Sequence, residues 1–139
     1  MTDVQEAYLG NRLLKPANAP HQFTKHEVEE YVKCQNDIIY FLKNYVQVIH
    51  VDKGLVPFEL YDYQEDLINT IQNNRYVIVK SARQSGKSVT SLGYILHYIL
   101  FNKTKIVGML ANKASTSREL LGRLQTAYQH LPKFLQQGI

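Results

Sequence analysis

Apolar and polar positions follow two rhythms along this chain, and each change of rhythm marks an element. Residues 1–23 follow neither: Gly10, Asn11, Pro16, Asn18 and Pro20 punctuate them, which predicts an irregular lead-in. From Thr24 the helical period takes over. Thr24-Lys-His-Glu27 has capping-box spacing, and Val28, Tyr31, Val32, Ile38, Ile39 and Leu42 share one face, predicting a helix over about residues 25–43. Tyr45-Val-Gln-Val-Ile-His-Val51 is rich in β-branched residues and closes on Asp52-Lys-Gly54, so it reads as a strand ending in a turn. Leu55-Val-Pro-Phe58 continues extended, because Pro57 biases its predecessor away from helix.

A helix from near Tyr63, carrying Leu67, Ile68 and Ile71, leads to Tyr76-Val-Ile-Val-Lys80, a compact run suited to a buried strand. After a loop, Val89, Leu92, Ile95, Leu96, Ile99 and Leu100 recur at helical spacing up to Asn102. Lys105-Ile-Val-Gly-Met-Leu-Ala111 is a second buried-type strand, which completes a β-α-β unit with a parallel pair. Ser115, Thr116 and Ser117 are candidate caps of a last helix, whose Leu120, Leu121, Leu124 and Tyr128 form a stripe ending at Leu131-Pro132. The class predicted is α/β.

The loop between the first of these strands and its helix reads Ser81-Ala-Arg-Gln-Ser-Gly-Lys-Ser88. It meets the phosphate-cradling pattern G-x-x-x-x-G-K-[ST] everywhere except the first position, where Ser81 replaces glycine. Such a loop turns successive backbone N–H groups inward as an anion nest, and the following helix adds its positive end. Gly86 allows close approach, Lys87 reaches the β- and γ-phosphates, and the Ser88 hydroxyl takes one position on Mg²⁺. An ordinary strand-turn-helix corner would need none of these residues.

Charge sharpens this picture. Residues 1–74 carry 6 Lys/Arg against 11 Asp/Glu, whereas residues 75–139 carry 10 against 1. Anions belong with the second part, whether as nucleotide or as nucleic acid, although any lysine outside the loop also suits a solvated face. Asn112, Lys113 and Arg118 lie beyond the second strand, at the edge where α/β sheets bind ligands, and either touch nucleic acid or form a solvated loop.

The chain of 139 residues, 45% hydrophobic, is enough for one domain with a core. It has no bilayer-length apolar run and no secretory signal at its N-terminus, so a soluble intracellular protein is expected. Cys34, the single cysteine, reads as packing. The histidines show no metal-binding spacing, and His97 within its apolar helix reads as a satisfied, semi-buried side chain.

Gln64 stands about twenty residues ahead of the loop, where many P-loop motors and helicases place a glutamine that reads the adenine edge, its amide offering donor and acceptor together. Phe58, Tyr61 and Tyr63 are aromatic neighbours able to stack on a base. The alternative is that Tyr63 is core and Gln64 a solvated helix residue. Hydrolysis needs more than a loop: an apolar strand ending in Asp and Glu to support Mg²⁺ and polarise water. After Lys87 the only carboxylate side chain is Glu119, on the last predicted helix, so the chain reads as the leading part of a longer protein.

These residues together resemble the large terminase subunit of tailed bacteriophages, of the type found in large contractile-tailed phages. The likeness rests on His50-Val-Asp-Lys-Gly-Leu-Val-Pro-Phe58, Tyr61-Asp-Tyr-Gln-Glu65, Ala82-Arg-Gln-Ser-Gly-Lys-Ser88, Ile106-Val-Gly-Met-Leu-Ala-Asn-Lys113 and Leu131-Pro-Lys-Phe-Leu-Gln-Gln-Gly-Ile139, covering nearly everything from about residue 25. It implies a three-layer P-loop NTPase of RecA/ASCE type, with residues 1–23 as lead-in and 24–139 as the first portion of the ATPase domain. The acidic box and a C-terminal nuclease domain would lie outside these residues. The resemblance further implies ATP and Mg²⁺ as cofactors, with Ser81, Ala82, Arg83, Gln84, Ser85, Gly86, Lys87 and Ser88 on the triphosphate and Gln64 on the adenine. Arg83 resembles the loop arginine of terminases, acting on γ-phosphate charge or reporting nucleotide state, the alternative being a loop arginine that faces solvent or an acidic partner. Implied partners are double-stranded viral DNA, the portal protein and the small terminase subunit, with no membrane and a homo-oligomeric full-length motor. The setting implied is the host cytoplasm, transiently at the procapsid portal. Two other readings stand beside it: the first lobe of a superfamily 2 helicase or translocase, and a nucleotide-binding module that does not hydrolyse.

Overall fold

The computed structural model describes residues 8–50 and 52–136. Five helices and one hairpin follow in chain order: α1 (Lys25–Asn36), α2 (Ile38–Tyr45), β1 (Gln47–His50), β2 (Gly54–Pro57), α3 (Asp62–Asn73), α4 (Lys87–Phe101) and α5 (Ala114–Gln129). Short 3-10 turns at Tyr8–Gly10 and Lys133–Leu135 flank them.

The helix expected over residues 25–43 is two helices. The capping box forms as its spacing predicts: Glu27 N–H donates to Thr24 Oγ1 at 3.2 Å, and Thr24 N–H donates to Glu27 Oε2 at 2.9 Å. The run then breaks at Asp37, which adopts extended backbone (φ −132°, ψ 101°). Its N–H still closes α1 on the Lys33 carbonyl at 2.9 Å, while its carboxylate accepts from Tyr40 N–H at 3.1 Å and starts α2. One short polar side chain therefore ends one helix and begins the next. Glu30 fastens the two together: its buried carboxylate accepts from the Tyr40 and Tyr45 hydroxyls, both at 2.6 Å, and from Lys33 Nζ at 3.0 Å.

The extended runs on either side of Asp52-Lys-Gly54 pair with each other. β1 and β2 are antiparallel, with Gln47 opposite Pro57 and His50 opposite Gly54. The first strand is shorter than expected, and Val51 lies outside the described residues. Phe58 N–H donates to the Val46 carbonyl at 3.0 Å, which carries the Phe58 ring into the core.

α4 is the central helix, packed by α2, α3 and α5. Its Leu92 and Leu96 join Cys34, Ile38, Phe41, Leu42, Ile68 and Leu124 in one core. Cys34 is fully buried, and that burial pushes its thiol up to about 12. Gly93 is the point of closest approach: a Cβ there would lie 2.9 Å from Leu42 Cδ2 and 3.3 Å from Phe58 Cε1. The described part of the lead-in, residues 8–23, is irregular beyond its 3-10 turn, yet it is docked. Fully buried Gln136 accepts from Lys15 N–H at 2.8 Å and donates to the Leu13 carbonyl at 2.9 Å, and Leu14 is buried beside it.

Residues 76–80 and 105–111 run between helices without entering a ladder; the only ladder among the described residues is β1–β2. Val77, Val79 and Val107 instead line a cleft of about 490 Å³ with Ser91, Tyr94, Ile95 and Tyr98 of α4. The side chains between them face outward: Ile78 and Ile106 are each 98% exposed and Leu110 is 96% exposed. Inward and outward positions alternate through 106–110, the period of a strand. None of Ser115, Thr116 and Ser117 caps α5. Lys113 is its N-cap, without a side-chain cap bond, because the helix starts two residues earlier than even the first of those hydroxyls, Ser115, requires.

Candidate nucleotide-binding site

The site is built where α3 meets the turn into α4. Gly86 is the N-cap of α4 in the left-handed region (φ 77°, ψ 12°), and Gln84 two residues earlier is also left-handed (φ 60°). This spacing of left-handed residues, with Ser85 between them, is the backbone habit that gathers N–H groups into an anion nest. Ser85 Oγ donates to the Ala82 carbonyl at 2.8 Å and meets Ser81 Oγ at 3.1 Å, closing the loop on itself. Lys87, first residue of α4, folds over the turn and donates through Nζ to the carbonyls of Ala82 at 3.3 Å and Ser81 at 3.4 Å. An ammonium held only by exposed carbonyls is ready to exchange them for phosphate oxygens.

Thr90, fully buried one turn into α4, donates its hydroxyl to the Gly86 carbonyl at 2.7 Å and its N–H to the same oxygen at 3.0 Å. Ser88 lies exposed on the first turn of α4, a hard oxygen donor of the kind Mg²⁺ accepts. Arg83 is exposed on the loop.

α3 approaches the loop from its own first turn. Tyr63 donates its hydroxyl to the Ser85 carbonyl. Gln64 is buried, at 4% exposure, with both ends of its amide engaged. Nε2 donates to the Gly86 carbonyl at 3.3 Å, and Oε1 accepts from Tyr61 N–H at 2.9 Å. The Tyr61 and Tyr63 rings stack, 5.8 Å apart and 12° from parallel, with Tyr61 68% and Tyr63 48% exposed.

The structure thus joins Ser81, Ala82, Gln84, Ser85, Gly86 and Lys87 with Gln64, and sets Arg83 and Ser88 at the edges of the same turn. It reverses the alternative considered for α3, since Gln64 is the buried residue and Tyr63 the exposed one. Phe58 does not stand with the other aromatics: it is 4% exposed, in the core under Gly93, because its backbone bond to Val46 directs the ring inward. Thr90 was not legible in the loop pattern, though its position four residues after Gly86 is the one that lets a hydroxyl reach back along a helix.

Along the chain the loop lies in a basic stretch, although the first turn of α3, which meets it, carries Asp62 and Glu65. No carboxylate side chain occurs between Asp66 and Glu119, a span that holds eight Lys and Arg. Glu119 itself lies on the exposed face of α5, paired with Arg123 at 2.5 Å. Asn112, Lys113 and Arg118 are exposed. No helix among the described residues is long and apolar enough to cross a membrane. No family model matches the chain.

Proposed function

We propose that this chain is the ATP-binding portion of a viral DNA-packaging motor, the leading part of a terminase large subunit whose ATPase drives double-stranded DNA into a procapsid. The observation that carries the ATP-binding step is the turn itself: two left-handed residues flank Ser85, Lys87 lies over the loop carbonyls, and α4 begins at the same point. In this reading the N–H groups of 84–88 and the α4 N-terminus hold the β- and γ-phosphates, and Lys87 exchanges its two carbonyl contacts for phosphate oxygens. Ser88 offers its hydroxyl to Mg²⁺, which neutralises phosphate charge when bound. Arg83 is near enough in sequence to meet the γ-phosphate. The parallel three-layer sheet, the portal and small-subunit partners, the oligomeric motor and the host cytoplasm belong to the same proposal, resting on the sequence resemblance.

A second reading has one observation in its favour. The carboxylate that follows the loop is tied to Arg123 on an exposed helix face, so these residues supply no evident general base, and nucleotide binding without hydrolysis is the simplest behaviour of the chain by itself.

Mg-ATP binding and turnover by the purified chain, with Lys87→Ala alongside, test both. Binding lost in the mutant with no turnover in either supports an ATP site whose base is supplied elsewhere. Turnover abolished by Lys87→Ala points to a complete site, and Glu119 becomes the residue to replace next. Equal binding by both proteins sinks the phosphate-loop reading.

A further inference from the structure

The first turn of α3 does more than lie beside the loop; it grips two consecutive carbonyls of it. A trans peptide is planar, with its C=O and N–H pointing in opposite directions. Tyr63 holds the Ser85 carbonyl, which fixes the peptide that carries the Gly86 N–H. Gln64 holds the Gly86 carbonyl, with Thr90 on the same oxygen, which fixes the peptide that carries the Lys87 N–H. Those two N–H groups are thereby directed away from the α3 side chains that hold the carbonyls. Room for this grip exists only because residue 86 has no side chain: a Cβ there would lie 2.5 Å from Gln64 Nε2.

We infer that Tyr63 and Gln64 are positioning residues for the phosphate loop, aiming the Gly86 and Lys87 N–H groups at a bound polyphosphate. This rests on the phosphate-loop reading above and deepens it. It also gives Gln64 a role other than base recognition in this conformation, because both ends of its amide are taken by Gly86 and Tyr61. Loss of the grip should weaken binding of the phosphate chain itself, irrespective of the base.

Calorimetric titration of the whole chain with Mg-ATP and with Mg-tripolyphosphate, which has no base, separates the possibilities. Tyr63→Phe keeps the ring on Tyr61 and removes only the hydroxyl. It should weaken both ligands by the same factor, about three- to tenfold, with the unfolding midpoint of the free protein little changed. Gln64→Met, of similar volume, should act in the same direction; its folding is checked by circular dichroism, and if it does not fold Tyr63→Phe decides alone. Unchanged constants for both ligands in Tyr63→Phe overturn the inference. So does a loss confined to ATP, which would make the hydroxyl a base contact. If the wild-type chain binds neither ligand, or Lys87→Ala binds both as well as wild type, the phosphate-loop reading fails first and takes this inference with it.

Discussion

His97 of α4 donates its Nε2 proton to the carbonyl of Cys34 on α1, at 2.8 Å. Cys34 is in the last turn of α1, where carbonyls have no intrahelical partner, so a side chain from another helix completes the end of this one. Burial pushes the His97 pKa down, with the Cys34 carbonyl and the charge of Asp37 opposing weakly. A histidine with a depressed folded-state pKa contributes stability that is full above its ordinary pKa of about 6.5 and is lost as pH falls below it. Urea midpoints should therefore drop as pH falls below about 6.5. His97→Leu should flatten that portion of the profile and lower stability at pH 8 by about 1–3 kcal/mol, since the Cys34 carbonyl is left buried without a partner.

Glu30 dictates a second, more acidic window. The Tyr40 and Tyr45 hydroxyls, then Lys33, hold its carboxyl well below the usual carboxylate range, at about 2. A depressed carboxylate contributes above its ordinary value and loses that contribution as pH falls through the folded one. Wild-type stability should decline further from pH 4.5 towards pH 2, the interval between the ordinary and shifted values. Glu30→Gln should remove most of this decline while leaving the His97 step in place. A profile equally steep in the variant would mean that other carboxylates control acid unfolding.

The same contacts explain what the sequence could and could not disclose. Helical period located α3, α4 and α5 within a few residues, because each buries one continuous stripe against the core. The break at Asp37 was hidden by that method, as the apolar face continues through it; the visible signal was local, an Asn36-Asp37 pair inside a periodic run. Spacing located the loop, since its chemistry lies in consecutive residues. Gln64 was found by distance in sequence, but its burial and its bonds to Gly86 and Tyr61 depend on how α3 meets α4, which no local pattern encodes. Phe58 failed for the converse reason: aromatic character alone does not distinguish a stacking ring from a core ring.

Three glycines that look alike in sequence should respond differently to alanine. At Gly93 the added Cβ meets Leu42 at 2.9 Å within the core, so overpacking should cost about 1–3 kcal/mol. At Gly122, on α5, nothing lies within 4 Å, and alanine should stabilise the helix by about 0.5–1 kcal/mol. At Gly86 the left-handed backbone and the 2.5 Å approach of Gln64 act together. Alanine there should destabilise by more than about 1 kcal/mol and weaken Mg-ATP binding as well. Chemical denaturation of the three variants checks the order Gly122 above wild type, then wild type, with Gly93 and Gly86 below.

The extended segments beside α4 carry the strongest association hazard among the described residues. Ile78, Ile106 and Leu110 are almost wholly exposed, and residues 76–80 and 105–111 form no ladder. A run with strand periodicity, bare backbone and outward isoleucine is the template on which chains pair edge to edge. Lys80 and Lys105 adjoin these side chains and give partial protection by like-charge repulsion, which salt screens over a distance of about 8 Å at physiological ionic strength. The purified chain should therefore self-associate as concentration rises, and more so as salt is added. Ile106→Thr combined with Leu110→Thr leaves a β-branched residue at both positions while removing apolar surface, and should raise the concentration at which light scattering appears severalfold. Neither residue touches the loop, so Mg-ATP binding should be unaltered in the variant. Scattering that falls with added salt, or that is identical in the variant, would place the association surface elsewhere.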